Sequence, residues 1–109
     1  MEMASLEKIA NLNWMDMLIL KALVASEGKS LTTKELKTSL AQYGVKYNLR
    51  PVSAVFLNKS LNRLVDLGLL VKIKSQMNVW ELRKDLGGGI ELFVHGFFGF
   101  FERIDKNVE

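Results

Sequence analysis

The residues of this 109-residue chain that could carry chemistry are mainly lysine and arginine. Residues 29–84 contain eleven Lys and Arg against three acidic residues, which is a net charge of +8. The flanking segments are acidic, with net charges of −2 over residues 1–28 and −3 over residues 85–109. A basic middle between acidic ends is typical of a chain that binds a polyanion through one local surface. The alternative is a solvated surface on which cations cluster by chance.

Residues suited to catalysis or metal binding are sparse. The chain has no cysteine, which excludes disulfides and thiolate metal sites. Its single histidine, His95, lies in an apolar stretch, and Asp16 fits a helix terminus better than a catalytic acid. The sequence contains no nucleophile elbow, no phosphate-binding loop and no constellation of paired carboxylates. We therefore expect no enzyme, no cofactor and no metal site.

Length and composition predict one soluble domain. A mass of 12.4 kDa, with 49% hydrophobic and 25% charged residues, is ordinary for a globular protein. The N-terminus is acidic before it is apolar, unlike a signal peptide, and no run of eighteen apolar residues occurs. These features favour a cytoplasmic protein without a membrane partner.

Capping residues mark the first two predicted helices. Asn13 is a good N-cap for a helix that Gly28 would end. Thr32 and Glu35 have the spacing of a capping box, and we expect the helix after them to end at Gly44.

A third helix and a hairpin follow. The helix is expected from about Pro51 to Leu67, closed by Gly68. Strands are expected at 69–74 and 79–83, where the hydrophobic period changes to two. On the third helix, helical spacing predicts a buried face made of Ala54, Leu57, Leu61, Leu64 and Val65. The same spacing predicts an opposite face that carries Val52, Phe56, Lys59 and Arg63.

Two stretches carry a resemblance to a known family. LNRLVDLGLLV at 61–71 and LTTKEL at 31–36 resemble segments of winged helix-turn-helix proteins, and the likeness covers residues 13–84. It does not resolve a subfamily among MarR-like, ArsR-like and archaeal viral regulators. The resemblance implies an α+β, mainly helical fold, with a three-helix core and a β-hairpin wing. We place this domain at residues 1–86, including an N-terminal extension at 1–12, and an added C-terminal helix at residues 87–109.

The resemblance implies sequence-specific binding of double-stranded DNA by a transcriptional regulator. Its third helix would lie in the major groove, and its wing would touch the backbone or the minor groove. Lys59 suits a phosphate, Arg63 a guanine or a phosphate, and Asn62 an adenine; each could also be a solvated surface residue. The candidate DNA-binding residues are Thr33, Lys34, Lys46, Tyr47, Asn48, Arg50, Ser53, Lys59, Asn62, Arg63, Lys72, Lys74, Gln76 and Asn78.

Apolar residues on the exposed face of the third helix leave a second interpretation open. Val52, Val55 and Phe56 could touch thymine methyl groups, or they could pack on the N-terminal segment or on another protein. In the last case the chain would be a winged-helix protein-interaction module that does not bind DNA.

The C-terminal segment is rich in phenylalanine. As a helix it would present a broad apolar stripe, which predicts a homodimer interface. Folding back onto its own domain and contact with a membrane are the alternatives. The predicted interface residues are Ile90, Phe93, Phe97, Phe100, Phe101 and Ile104. The two tryptophans, Trp14 and Trp80, are expected in the core or at its edge.

Overall fold

Four α-helices and a small antiparallel sheet make up the part of the chain that the structure describes. It is a computed structural model that describes residues 12–51, 53–74, 77–86 and 88–108, and of residues 74 and 101–108 the backbone only. The elements are α1 (Trp14–Ala25), β1 (Ser30–Thr32), α2 (Thr33–Lys46), α3 (Ala54–Asp66), β2 (Leu70–Lys74), β3 (Asn78–Leu82) and α4 (Gly89–Val108), with short 3₁₀ turns at Glu27–Lys29 and Lys84–Leu86. The predicted α+β, mainly helical class is confirmed.

Helix α1 lies at the centre of the molecule. Its predicted start is confirmed by a complete capping box, in which the Asp16 N–H donates to Asn13 Oδ1 at 2.9 Å and the Asn13 N–H donates to Asp16 Oδ2 at 3.0 Å. Most of the helix is buried because α2, α3, α4 and β3 all pack against it. A helix that is apolar nearly all round is suited to such a position. The helix ends at Ala25, and Gly28 lies in the next turn with φ 75°.

Helix α2 begins at its predicted capping box and extends past its predicted end. The Glu35 N–H donates to Thr32 Oγ1, and the Thr32 N–H donates to Glu35 Oε1. The expectation that Gly44 ends the helix is wrong, because Gly44 is helical and α2 continues to Lys46. The left-handed residue beyond the helix is Asn48, with φ 55°. Asparagine tolerates this conformation better than most residues do.

Helix α3 begins later than the sequence predicts. Ser53 is the N-cap, and its hydroxyl accepts a hydrogen bond from the Phe56 N–H at 3.1 Å, so Pro51 lies before the helix instead of in its first turn. Gly68 follows the helix with φ 81°, which is the left-handed turn expected there. Of the predicted buried face, Leu57, Leu61 and Leu64 are buried, Val65 is half-buried and Ala54 is exposed.

The predicted hairpin is present and gains a third strand. The strand order is β1-β3-β2, and both pairings are antiparallel. Leu31 of β1 and Lys72 of β2 lie opposite Trp80 of β3. Trp80 is buried, as expected, and its Nε1–H donates to Thr33 Oγ1 at 2.9 Å. This hydrogen bond ties the sheet to the first turn of α2.

Helix α4 packs back onto the rest of the chain. Ile90, Val94 and Phe98 are buried in the same core as the side chains of α1. The half-buried Trp14 ring lies 5.6 Å from Phe97 and 5.7 Å from Phe98, between ring centroids. In the described part of the chain, no helix has the length and hydropathy needed to cross a membrane.

Candidate nucleic-acid interface

The outward face of α3 carries the best-placed candidate residues. Leu57, Leu61 and Leu64 turn inward, so Lys59 and Asn62 project from the opposite side, and both are exposed. Within the described residues Lys59 forms no ion pair. A cation and an amide on one exposed helical face suit phosphate contact and base-edge hydrogen bonding.

Arg63 does not share this outward position. Its guanidinium forms an ion pair with Asp16 Oδ2, which also accepts the Asn13 N–H. The Asp16 carboxylate is completely buried, whereas the Arg63 side chain is 44% exposed. Arg63 therefore bridges α3 to the start of α1. The prediction that Arg63 is a cation on the exposed face did not include this ion pair.

Sequence reasoning missed Asp16 as the partner of Arg63. The two residues are 47 positions apart in the chain, so no local spacing relates them. One signal was present, since Asp16 is a lone carboxylate in a helix otherwise made almost entirely of apolar residues. A buried acid in such a helix requires a charged or hydrogen-bonding partner.

The loop before α3 brings together side chains with different surroundings. Ser53 is occupied as the N-cap, while Arg50 and the left-handed Asn48 are exposed. Tyr47 belongs instead to an aromatic cluster, with its ring 6.0 Å from Trp14 and 5.9 Å from Phe98. Its hydroxyl is buried without a hydrogen-bond partner. In this structure Tyr47 is therefore a packing residue whose hydroxyl does not reach the surface.

Lys46 and Tyr43 also lie beside the Tyr47 ring. Lys46 is exposed, and its Nζ lies 5.3 Å from the centroid of the Tyr47 ring. Burial raises the pKa of the Tyr43 hydroxyl, and the neighbouring Tyr47 raises it further.

The start of α2 holds two cationic or polar candidates and one acid, and a third candidate, Lys72, lies on β2 beside Trp80. Thr33 accepts the hydrogen bond from Trp80, Lys34 is exposed, and the Lys72 Nζ lies 5.1 Å from the Trp80 ring centroid. Hydrogen bonding to Thr32, through its backbone first and its side chain second, lowers the pKa of Glu35. An ionised Glu35 repels a phosphate, so α2 offers a weaker anion site than its free amides alone would.

The β2–β3 hairpin, the predicted wing, is described only in part. Asn78 is exposed at the start of β3, and Lys74 pairs with it through the backbone. The Lys74 side chain and the whole of Gln76 lie outside the described residues. Val71 and Ile73 are exposed on β2, so the hairpin presents apolar as well as basic side chains.

The predicted interface residues of α4 do not all point outward. Ile90 is buried within its own chain because it belongs to the row that meets α1, and Phe97, next to that row, packs against the core. Phe93 and Phe100 are exposed, together with Leu92, which the predicted stripe did not include. The side chains of Phe101 and Ile104 lie outside the described residues.

Among the described residues, no three His, Asp or Glu side chains are grouped so that they could hold a metal ion. Comparison with known proteins gives no match, since no protein-family model fits the sequence and no curated protein sequence is similar to it.

Proposed function

We propose that this chain is a winged-helix protein that binds specific double-stranded DNA sequences as a homodimer and regulates transcription. Helix α3 enters the major groove, and the β2–β3 hairpin contacts the backbone or the minor groove. The observation that carries the proposal is the outward face of α3, where Lys59 and Asn62 are exposed opposite a buried leucine row. An α-helix fits the width of the major groove, where polar side chains on its outward face can reach base edges.

The order of elements supports the same assignment. A helix, a short strand, two helices and a hairpin follow one another, as in the winged-helix family that the sequence resembles. The first strand pairs with the second strand of the hairpin, which holds the wing beside the start of α2. This arrangement attaches α3 and the hairpin to the same hydrophobic core.

The exposed side of α4 supports the homodimer. Leu92 is 76% exposed, and Phe93 and Phe100 are also exposed, while Ile90, Val94 and Phe98 attach the helix to its own chain. A second copy would bury this apolar side and provide two DNA-reading helices for two half-sites.

One observation favours a second function. Val55 and Phe56, near the start of α3, are 67% and 48% exposed. Two apolar side chains on an otherwise polar face fit the alternative of a protein-interaction module without DNA binding.

Binding of a labelled random-sequence duplex, followed by fluorescence anisotropy at low and moderate salt, tests the DNA proposal. We expect the logarithm of the affinity to fall linearly with the logarithm of the salt concentration, because phosphate contacts release counterions. Lys59→Ala should weaken binding and reduce the magnitude of this slope by about one. An interaction module predicts no binding even at low salt, which would overturn the proposal.

Lys84→Ala is the matched control. Lys84 is exposed beyond the sheet, lies outside the predicted interface and, within the described residues, makes only a long ion pair with Glu81, at 4.0 Å. Its loss therefore changes the net charge equally without removing a proposed contact. Equal effects of Lys84→Ala and Lys59→Ala would show that binding depends on overall charge and not on α3. Arg63→Ala is a poor probe here because it also breaks the ion pair with Asp16.

A further inference from the structure

An apolar cleft of about 300 Å³ lies between α2 and the start of α3. Its lining includes the buried Leu40 and Leu57, together with Leu49 and Ala54. The rim residue Val45 is 86% exposed. A volume near 300 Å³ lies at the lower end of the range for small-molecule sites.

The charged residues of the cleft are both cations. Lys37 and Arg50 line it, and no acidic side chain does. Neither cation takes part in an ion pair within the described structure. Two uncompensated positive charges beside an apolar wall complement a ligand that has an apolar body and an anionic group.

Gly44 keeps the wall of the cleft open. It is helical, and a Cβ placed there would meet only the Leu49 carbonyl oxygen, at the ordinary contact distance of 3.7 Å. The backbone therefore does not require glycine, which is among the least favourable residues inside a helix. A second apolar cleft of about 340 Å³, lined by Trp14 and Phe56, shares Gly44 and Arg50 with the first.

We propose that this cleft binds a small apolar carboxylate of the medium-chain fatty acid class. The carboxylate pairs with Lys37 and Arg50, and the hydrocarbon chain covers the leucine wall. The hydrocarbon chain is required because the wall is mainly apolar, and the carboxylate is required because the lining contains two cations and no acidic side chain. The assignment does not depend on whether the protein binds DNA.

Titration of the isotopically labelled full chain with octanoate, followed through amide chemical shifts, tests the site. We expect saturable shifts at Ala41, Gly44 and Leu49, and much weaker binding of octanol, which keeps the chain and lacks the charge. Equal binding of octanol, or shifts confined to α4, would overturn the proposal.

Two kinds of variant test separately the role of the cations and the role of the open cleft. Lys37→Gln and Arg50→Gln should each raise the dissociation constant for octanoate about 2–5-fold, as expected for one exposed ion pair. Lys59→Gln on the outward face of α3 is the matched control and should leave it unchanged.

Gly44→Leu should abolish binding by filling the cleft. Far-ultraviolet circular dichroism checks that the Gly44→Leu variant folds. If it does not fold, Ala41→Leu is a second variant that fills the cleft. If a folded cleft-filling variant still binds octanoate as tightly, octanoate binds elsewhere and the assignment is refuted. The same follows if Lys59→Gln raises the dissociation constant as much as Lys37→Gln or Arg50→Gln does.

Discussion

At the scale of single residues, the ion pair between Arg63 and Asp16 helps to hold α3 against α1. The carboxylate is completely buried, and its Oδ2 serves both Arg63 and the cap of α1. Arg63→Ala leaves this charge buried without its partner. Loss of one partner of a buried pair costs about 3–5 kcal/mol, and we expect about 2–3 kcal/mol here because Arg63 is partly solvated. Urea unfolding measures the loss of stability.

A double-mutant cycle with Asp16→Asn isolates the pair. Asparagine keeps an oxygen that can accept the Asn13 N–H and removes the buried charge, so Arg63→Ala should cost less in this background. We expect a coupling energy of at least about 1 kcal/mol. Additive effects would mean that the pair does not hold α3 against α1.

At the scale of elements, the capping box of α2 predicts a dependence of stability on pH. The pKa of Glu35 is below its ordinary value of 4.5 in the folded protein. Its ionised form therefore stabilises the fold above pH 4.5, and this contribution is lost as the pH falls through the lowered pKa. Glu35→Gln should be less stable than the natural protein at neutral pH, with the difference disappearing in acid. Thermal unfolding across this range measures it.

Glu27→Gln is the control for loss of one negative charge. Glu27 is exposed in the turn after α1 and makes no hydrogen bond through its side chain in the described structure. A stability difference for Glu35→Gln that persists unchanged at low pH would contradict the role given to its ionised form.

At the scale of the whole molecule, α4 packs one side against its own chain and leaves an apolar side exposed, which is the proposed dimer interface. Leu92→Glu places a charge on the exposed side and leaves Ile90, Val94 and Phe98 in the core. We expect it to convert a dimer into a folded monomer, because an apolar interface does not tolerate an unpaired charge. Light scattering coupled to size-exclusion chromatography measures the mass, which is 12.4 kDa for one chain.

Val45→Glu is the matched control, since Val45 is an exposed apolar residue on α2. It should leave the dimer intact. The α4 interface is refuted if the unsubstituted protein is a monomer. It is also refuted if the Leu92→Glu variant remains a dimer. Truncation after Asp85 is less informative because it also removes three core residues of α4.

Local signals in the sequence predicted most of the elements. Asn13 and the pair Thr32 and Glu35 mark helix starts because their side chains satisfy backbone amides a few residues away. Boundaries were less predictable. Helix α3 begins after the Ser53 cap and not at Pro51, and Gly44 stays helical, because several residues within a few positions could have served as each boundary.

The candidate site was predictable only where a residue's environment depends on its own helix. Lys59 and Asn62 face outward because the leucines of α3 face inward. Tyr47 and Arg63 differ from expectation because their partners, Phe98 and Asp16, lie far away in sequence. The cleft lined by Lys37 and Arg50 was not foreseen for the same reason.

The sequence by itself determined the helices, the hairpin, the α+β class and the basic middle of the chain, since each depends on residues close together. Only the tertiary structure decided that Arg63 is joined to Asp16, that Ser30–Thr32 adds a strand to the hairpin, and which side of α4 stays exposed. Helical periodicity shows which residues share a face. It does not show which neighbour covers that face, because burial depends on contacts between segments distant in the chain.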